Sequence, residues 1–264
     1  MKPIAQLDPR GIGTVLVDID DTLTTSGKLT AQAYGALERL HAAGKRVVPV
    51  TGRPAGWCDH IARMWPVDAV VGENGAFYFH FSGGRLHKRF LDDAAARAAN
   101  RARLDAIAQR ILGAVPGCAI AADQPYRETD LAIDYCEDAG PLSIADAERI
   151  AALMAEAGLV AKISSIHVNG WFGHYDKLAT TRLLFEEHFG LSPEEAREGT
   201  VFVGDSPNDA PMFGFFARSV GVANVRRFEA LLSAKPGYVT RAEAGAGFAE
   251  LADHLLGAGS CSGG

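Results

Sequence analysis

Long apolar runs are missing from this 264-residue chain, and none approaches the roughly 20 residues that a membrane-spanning helix needs. The opening MKPIAQLDPR also lacks the basic, apolar and small-residue succession of a secretory leader, so a cytoplasmic protein without a membrane partner is expected. Cysteine is scarce. Cys58, Cys118, Cys136 and Cys261 are scattered, with no CxxC pair and no histidines at zinc-type spacing, which argues against a disulfide framework or a zinc site. Basic residues are in deficit, 26 Lys and Arg against 32 Asp and Glu, giving a formal net charge of -6. That balance argues against broad nucleic-acid binding, which requires a basic face, and leaves local sites for small anions open. Internal repeats are absent, and the only biased segments are alanine-rich stretches and the ending GAGSCSGG.

What is present is a 48% hydrophobic composition arranged in alternating segments, enough for a substantial core. Residues 14–19 form a near-continuous apolar run, as in a parallel strand covered on both faces. Residues 30–43 carry helical spacing and end before Gly44, and a strand at 46–51, a helix at 54–65 and a strand at 68–72 follow. Such alternation predicts a parallel sheet with right-handed crossovers. The rhythm then changes. Residues 76–81 and 85–90 flank Ser82-Gly83-Gly84, a hairpin signal, and precede a helix at 93–112, a strand at 129–136, a helix at 143–157 and strands at 159–164 and 165–171. The first rhythm resumes with helices at 176–189, 208–216, 225–232 and 244–256 and strands at 200–204, 218–223 and 238–240. The predicted fold class is α/β: a doubly wound parallel-sheet, Rossmann-like core from 1–82 and 173–257, an inserted α/β domain at 83–172 and a flexible tail at 258–264.

Three aspartates, Asp18, Asp20 and Asp21, crowd the end of the first apolar run in the stretch VLVDIDDTLT. Carboxylates this close repel one another unless a positive charge compensates. Ligands of open parallel sheets bind outside the carboxyl ends of the strands, and four polar clusters fall at such places. They are Asp18 to Thr22, Thr51-Gly52-Arg53, Lys177, and Gly204 to Asp209. Asp18 and Asp205, from separate strand ends, suit Mg²⁺, with a backbone carbonyl near Asp20 as a third ligand. Thr51 and the adjacent N–H groups lead into a helix and form an anion-binding corner, while Lys177 supplies a positive charge for phosphate oxygens or a carboxylate nucleophile. Any one cluster alone is more simply a turn, a helix cap or a solvated side chain. All four in this order describe a site for phosphoryl transfer.

On these residues the chain resembles the haloacid dehalogenase superfamily along essentially its whole length. DIDDT, Thr51, Lys177 and GDSPND match its four motifs, and the inserted block between the second and third, preceded by Gly72-Glu73-Asn74-Gly75-Ala76, resembles the α/β cap of the type IIB subgroup of Cof-like and sugar phosphatases. The resemblance implies a Mg²⁺-dependent phosphatase of a small phosphorylated metabolite, in which Asp18 is the nucleophile and Asp20 the acid and base. It implies that Thr51 and Lys177 hold the phosphoryl group, and that Asp205 binds Mg²⁺ with Asp18, Asp20, Asn208 and Asp209 around it. Gly52, Arg53, Asn74, His167, Asn169 and Asn208 are further substrate-binding candidates. Ser165, His167 and Asn169 alternate along one strand face, and Arg53 and Arg127 are candidates for a second anionic group. Residues 169–175 are expected to be a hinge or a packed connection. A phosphomutase and a non-catalytic phosphate-binding module are the alternatives, and a monomer or small homo-oligomer is expected.

Overall fold

The computed structural model describes residues 1–257; the expected flexible tail, with Cys261, lies outside the described residues. The core opens with β1 (Lys2–Pro3), β2 (Thr14–Val17), α1 (Ala31–Ala42), β3 (Arg46–Pro49), α2 (Ala55–Met64) and β4 (Val70–Gly72). The middle of the chain forms β5 (Phe77–Ser82), β6 (Arg85–Phe90), α3 (Ala94–Ala114), β7 (Ala119–Ile120), β8 (Leu131–Asp134), α4 (Ile144–Glu156), β9 (Val160–Ile163) and β10 (His167–Trp171). The chain then returns to the core through α5 (Lys177–Glu187), α6 (Pro193–Glu198), β11 (Thr200–Gly204), α7 (Ala210–Phe215), β12 (Ser219–Gly221), β13 (Tyr238–Val239) and α8 (Ala244–Gly257).

Six strands form one sheet in the order β1-β13-β12-β11-β2-β3, and every neighbouring pair is parallel. β2 is covered on both faces. Val15 and Val17, with Val201 and Val203 of β11, pack against α1 and α8 through Leu37, Leu40 and Phe248. Leu16 and Phe202 face the other way, against Leu184 and Phe185 of α5 and Phe213 of α7. This two-sided burial explains why the strands read as apolar runs rather than as alternating ones. β11 and β3 flank β2 with Val17 opposite both Val203 and Pro49, so the residues just past three strand ends meet. β4 joins this edge through a single parallel bridge, Val50 to Val71.

A second sheet, in the order β7-β8-β10-β9, is antiparallel throughout. One face, with Ile133 and Val168, packs on α3 and α4 through Leu104, Ile111, Ile150 and Met154. Residues alternating with these, among them Ala132, Asp134, His167 and Asn169, are also buried, which leaves no solvated face at those positions. The expected division at residue 82/83 falls inside the turn of the β5–β6 hairpin. Those two strands pair over six positions and β5 pairs with β4, so the hairpin stays with the core edge and the second sheet draws only on residues 119–171.

Three other local readings need correction. The helix expected at 225–232 is a 3-10 segment, Ala223–Phe228, and the one expected at 208–216 begins with a 3-10 turn at Pro207–Asp209. α6 escaped the pattern because it is six residues long, too short for periodicity, although Ser192 and Glu195 form a reciprocal capping box at its start. No helix among the described residues is long and apolar enough to cross a membrane.

Toward the turn of the β5–β6 hairpin His80 is sandwiched between His188, 3.7 Å away by ring centroid, and His87, 4.6 Å away. Burial and then the two neighbouring imidazoles push the His80 pKa down from 6.5 to about 4. The unfolded chain therefore takes up this proton near pH 6.5 while the folded one resists until about pH 4, so the linked stability is present above 6.5 and is lost as the pH falls through that window. His80→Phe, which keeps the stacking, is expected to flatten the loss of Tm between pH 6.5 and 4 when thermal unfolding is followed across that range.

Candidate active site

The strand order brings Asp18, Thr51 and Asp205 to one edge, directly after β2, at the end of the β3 segment and directly after β11. Asp18 is anchored by its own N–H, which donates to the Val203 carbonyl at 2.9 Å. Lys177 arrives from the other half of the chain as the first residue of α5, which Asp176 caps by accepting from Ala179 N at 2.7 Å. A lysine at a helix N-terminus faces the positive end of the helix dipole, so this placement is unfavourable in isolation. Two carboxylates compensate: Lys177 Nζ donates to Asp18 Oδ1 at 2.7 Å and to Asp209 Oδ1 at 2.8 Å, with all three side chains buried.

Two glycines make this approach possible. A Cβ on Gly75, at φ +106°, would lie 2.2 Å from the Asp176 carbonyl oxygen, so only glycine lets the loop after β4 close against the start of α5. A Cβ on Gly204 would lie 2.4 Å from Asp209 Oδ2, an oxygen that turns back to accept from the N–H groups of Asp205 and Ser206. Asp209 thus orients Lys177 with one oxygen and holds its own loop with the other.

Asp18, Asp205 and Asp209 have carboxylate oxygens within 4.8 Å of one another, all buried. Burial pushes the Asp18 pKa up, and Asp209 and Asp20 add to this against the pull of Lys177; burial, followed by Asp18 and Asp209, raises that of Asp205 as well. Lys177 goes up too: burial opposes its charge, but Asp18 and Asp209 outweigh it. Three buried carboxylates against one ammonium leave an uncompensated negative charge, and an all-oxygen donor set of this kind fits a hard divalent cation. Asp205 is oriented by Thr22, whose hydroxyl donates to Oδ1 at 3.2 Å, and by Asn224, whose Nδ2 donates to Oδ2 at 3.1 Å. Asn224 had no motif to announce it in the sequence.

Residues 15–102 match the family model of haloacid dehalogenase-like hydrolases. A phosphoglycolate phosphatase of Pyrobaculum neutrophilum is 30% identical over 256 residues, covering 96% of this chain and 99% of that protein. The chain belongs to the haloacid dehalogenase-like hydrolases. Among solved structures, Thermoplasma acidophilum 0175 superposes with a TM-score of 0.70 at 18% identity, covering 93% of this chain and 98% of that one. The haloacid dehalogenase subclass IIB sugar phosphatase BT4131 gives 0.59 at 14% identity, covering 94% and 99%. The family expected from the sequence and the enzyme class of a phosphatase are borne out, and the fold is shared with a subclass IIB structure.

In this haloacid dehalogenase-like hydrolase the remaining candidates divide. Thr51 is fully buried, and its Oγ1 accepts from the Arg53 N–H at 3.0 Å. Asn74, at φ +55°, is buried beside Gly52 with Oδ1 accepting from Asn208 Nδ2 at 3.5 Å, and its Nδ2 has no partner among the described residues. Asn208 Oδ1 accepts from Ser206 at 2.7 Å, so its carboxamide is occupied on both sides. Asp20 stands apart from the carboxylate cluster, with its oxygens receiving Arg53 Nε at 3.0 Å and Nη2 at 2.8 Å. His167 and Asn169, with Ser165, line a cleft shared with Asp18, Asp20, Gly52 and Arg53. The second sheet is closed over the core so tightly that this cleft retains a cavity of about 10 Å³, about what a single water molecule needs.

That closure is ionic. Glu73, fully buried, accepts from Ala55 N at 2.9 Å within the core and from Glu128 N at 2.9 Å and Thr129 N at 2.7 Å across the gap; the Thr129 hydroxyl also donates to it. Arg127 reaches back to the Gly52 carbonyl at 2.8 Å while pairing with Asp123 and Asp130, and Asn169 Nδ2 donates to Asp130 at 2.9 Å. Arg53 and Arg127 were candidates for a second anionic group of a ligand, but carboxylates of the protein itself occupy both. Glu73 was noted in the sequence only within Gly72 to Ala76, and Asp123, Thr129 and Glu137 passed unnoticed because each stands alone and polar groups paired across two domains have no fixed spacing. Lys177→Met is expected to destabilise the metal-free protein by about 3–5 kcal/mol, the cost of stranding buried charges, measured by denaturant unfolding in chelator.

Proposed function

We propose that this enzyme hydrolyses a small phosphate monoester, a sugar or polyol phosphate, through an aspartyl-phosphate on Asp18. The observation that carries the reading is the buried constellation of Asp18, Lys177, Asp209 and Asp205, in which a nucleophilic oxygen sits 2.7 Å from a fixed ammonium and beside a cation-ready carboxylate group. Asp18 attacks phosphorus, and Asp20 gives its proton to the leaving alkoxide as the P–O bond breaks. Water then loses a proton to Asp20 and displaces the phosphoryl group from Asp18, releasing inorganic phosphate. Paired with Arg53 as it is here, Asp20 is set for the base half of this cycle.

Lys177 balances the charge of Asp18 and of the transferring oxygens throughout, in a pocket where water screens little. Thr51 shapes the turn whose N–H groups face the phosphoryl group, and the unpartnered Asn74 Nδ2 supplies a further donor for it. Asp18 and Asp205 hold Mg²⁺, which when bound supplies two positive charges to a site otherwise rich in carboxylates. Asp209 has both oxygens engaged and serves as the orienter of Lys177. The second sheet acts as a cap that opens to admit substrate, because the closed cleft has no room for one. The Pyrobaculum relative is named for phosphoglycolate and the solved BT4131 for a sugar phosphate, so the leaving group is either a carboxylate-bearing or a hydroxyl-bearing alcohol.

Asp18→Asn is expected to lower phosphate release by on the order of 10³-fold or more while circular dichroism and Tm show an intact fold. Near-normal release would remove the nucleophile assignment. Added Mg²⁺ is expected to raise the Tm of chelator-treated protein, as any ligand of the native state does, and Asp205→Asn to lose that rise.

A further inference from the structure

The acid end of the cleft is built around one guanidinium. Arg53 is 4% exposed and donates to three carboxylates. Its Nε meets both oxygens of Asp20 at 3.0 Å, and Nη2 is divided between Asp20 Oδ1 at 2.8 Å and Glu137 Oε1 at 2.6 Å. Nη1 is divided between Glu137 Oε2 at 3.2 Å and Asp123 Oδ2 at 3.3 Å. A guanidinium carries five N–H groups, and these contacts engage all five. Asp20 belongs to the core, whereas Asp123 and Glu137 belong to the cap, so the proton-transferring carboxylate and the cap share a single cation.

Glu137 follows β8, and its loop is fixed by Asp134, whose Oδ1 accepts from the N–H groups of Cys136 and Glu137 and whose Oδ2 accepts from those of Asp138 and Ala139. His167 Nε2 lies 2.9 Å from Glu137 Oε2, close in distance though not aligned as a hydrogen bond. Burial works against the Glu137 carboxylate, yet His167 and Arg53 outweigh it and hold its pKa down to about 2, so it is charged wherever the enzyme is folded near neutral pH.

We propose that Glu137 is a specificity-determining residue: by filling the last donors of Arg53 it closes the acid end of the site to carboxylate-bearing leaving groups and reserves it for neutral, hydroxyl-bearing ones. The proposal deepens the reading of a small-ester phosphatase and rests on it. Charge at this end decides the matter. Three carboxylates already surround Arg53, and Arg127, the next cation, is committed to Asp123, Asp130 and the Gly52 carbonyl. A substrate carboxylate entering here would be a fourth, without a donor to receive it and with three like charges against it. A sugar or polyol hydroxyl, by contrast, donates to a carboxylate and accepts from a ring N–H or a carboxamide, and Glu137, His167 and Asn169 offer those partners.

The test uses the full-length enzyme and two esters of similar size, glycerol 1-phosphate and 2-phosphoglycolate. Wild-type kcat/KM is expected to favour glycerol 1-phosphate by about tenfold or more, the scale on which one unfavourable charge contact acts. Glu137→Gln, which keeps the shape and removes the charge, is expected to move the ratio toward 2-phosphoglycolate by about tenfold, and Glu137→Asp to restore the wild-type preference. A purely structural role would lower both rates together and leave the ratio where it was. The Kd values of the two esters, measured by calorimetry on Asp18→Asn with and without Glu137→Gln, read the same discrimination without turnover. A shifted Kd ratio, together with a wild-type enzyme that releases no phosphate from either ester, would sink the phosphatase reading and keep the role of Glu137. A wild-type preference for 2-phosphoglycolate, or a ratio that Glu137→Gln leaves unmoved in both measurements, overturns the proposal.

Discussion

One buried ammonium holds the catalytic end of this protein together. Lys177 comes from the half of the chain that follows the inserted domain, Asp18 from the half that precedes it, and Asp209 from a third strand-to-helix junction. Without that charge, carboxylates at the ends of β2 and β11 could not be drawn this close out of water, and the parallel register of those strands would set repelling groups side by side. The close approaches at Gly75 and Gly204 have the same logic: they bring the helix that carries Lys177, and the carboxylate that aims it, within contact of the strand ends.

A second cation, Arg53, plays the corresponding part for the cap. It is shared between Asp20 of the core, the carboxylate proposed to move protons, and two carboxylates of the inserted domain. The state of the cap and the surroundings of Asp20 are therefore not independent. The cap opening proposed above would take Asp123 and Glu137 away from Arg53 and leave Asp20 as its remaining partner, so a single movement would change both access to the cleft and the electrostatic setting of Asp20.

Much of this was legible in the sequence because it is local. The strand ends, the order of the four clusters and the separation of an antiparallel block from a parallel one follow from periodicity, turn chemistry and residue type within short windows. The family was legible for the same reason. What escaped depends on tertiary pairing. The burial of Asp18 and Asp205 was not legible from their places at strand ends, because the second sheet covers the edge that the core sheet leaves open. The side chains of Asn224, Glu73 and Glu137 find partners 18 or more positions away, and no spacing rule reaches them. The hairpin was divided from its sheet because the turn signal at Gly83 is strong, while the pairing of β5 with β4 that keeps it on the core has no comparable marker.

The contact made by Glu73 has a consequence for how such an enzyme diversifies. Its carboxylate grips the inserted domain mainly by main-chain N–H groups, those of Glu128 and Thr129, and every residue but proline has one. At this one contact, unlike the side-chain pairs of Arg53 and Arg127, the attachment rests largely on the backbone and asks little of side-chain identity in the inserted domain. The lid can thus be rewritten for a new alcohol, residue by residue, without coming loose at this point from the machinery beneath it.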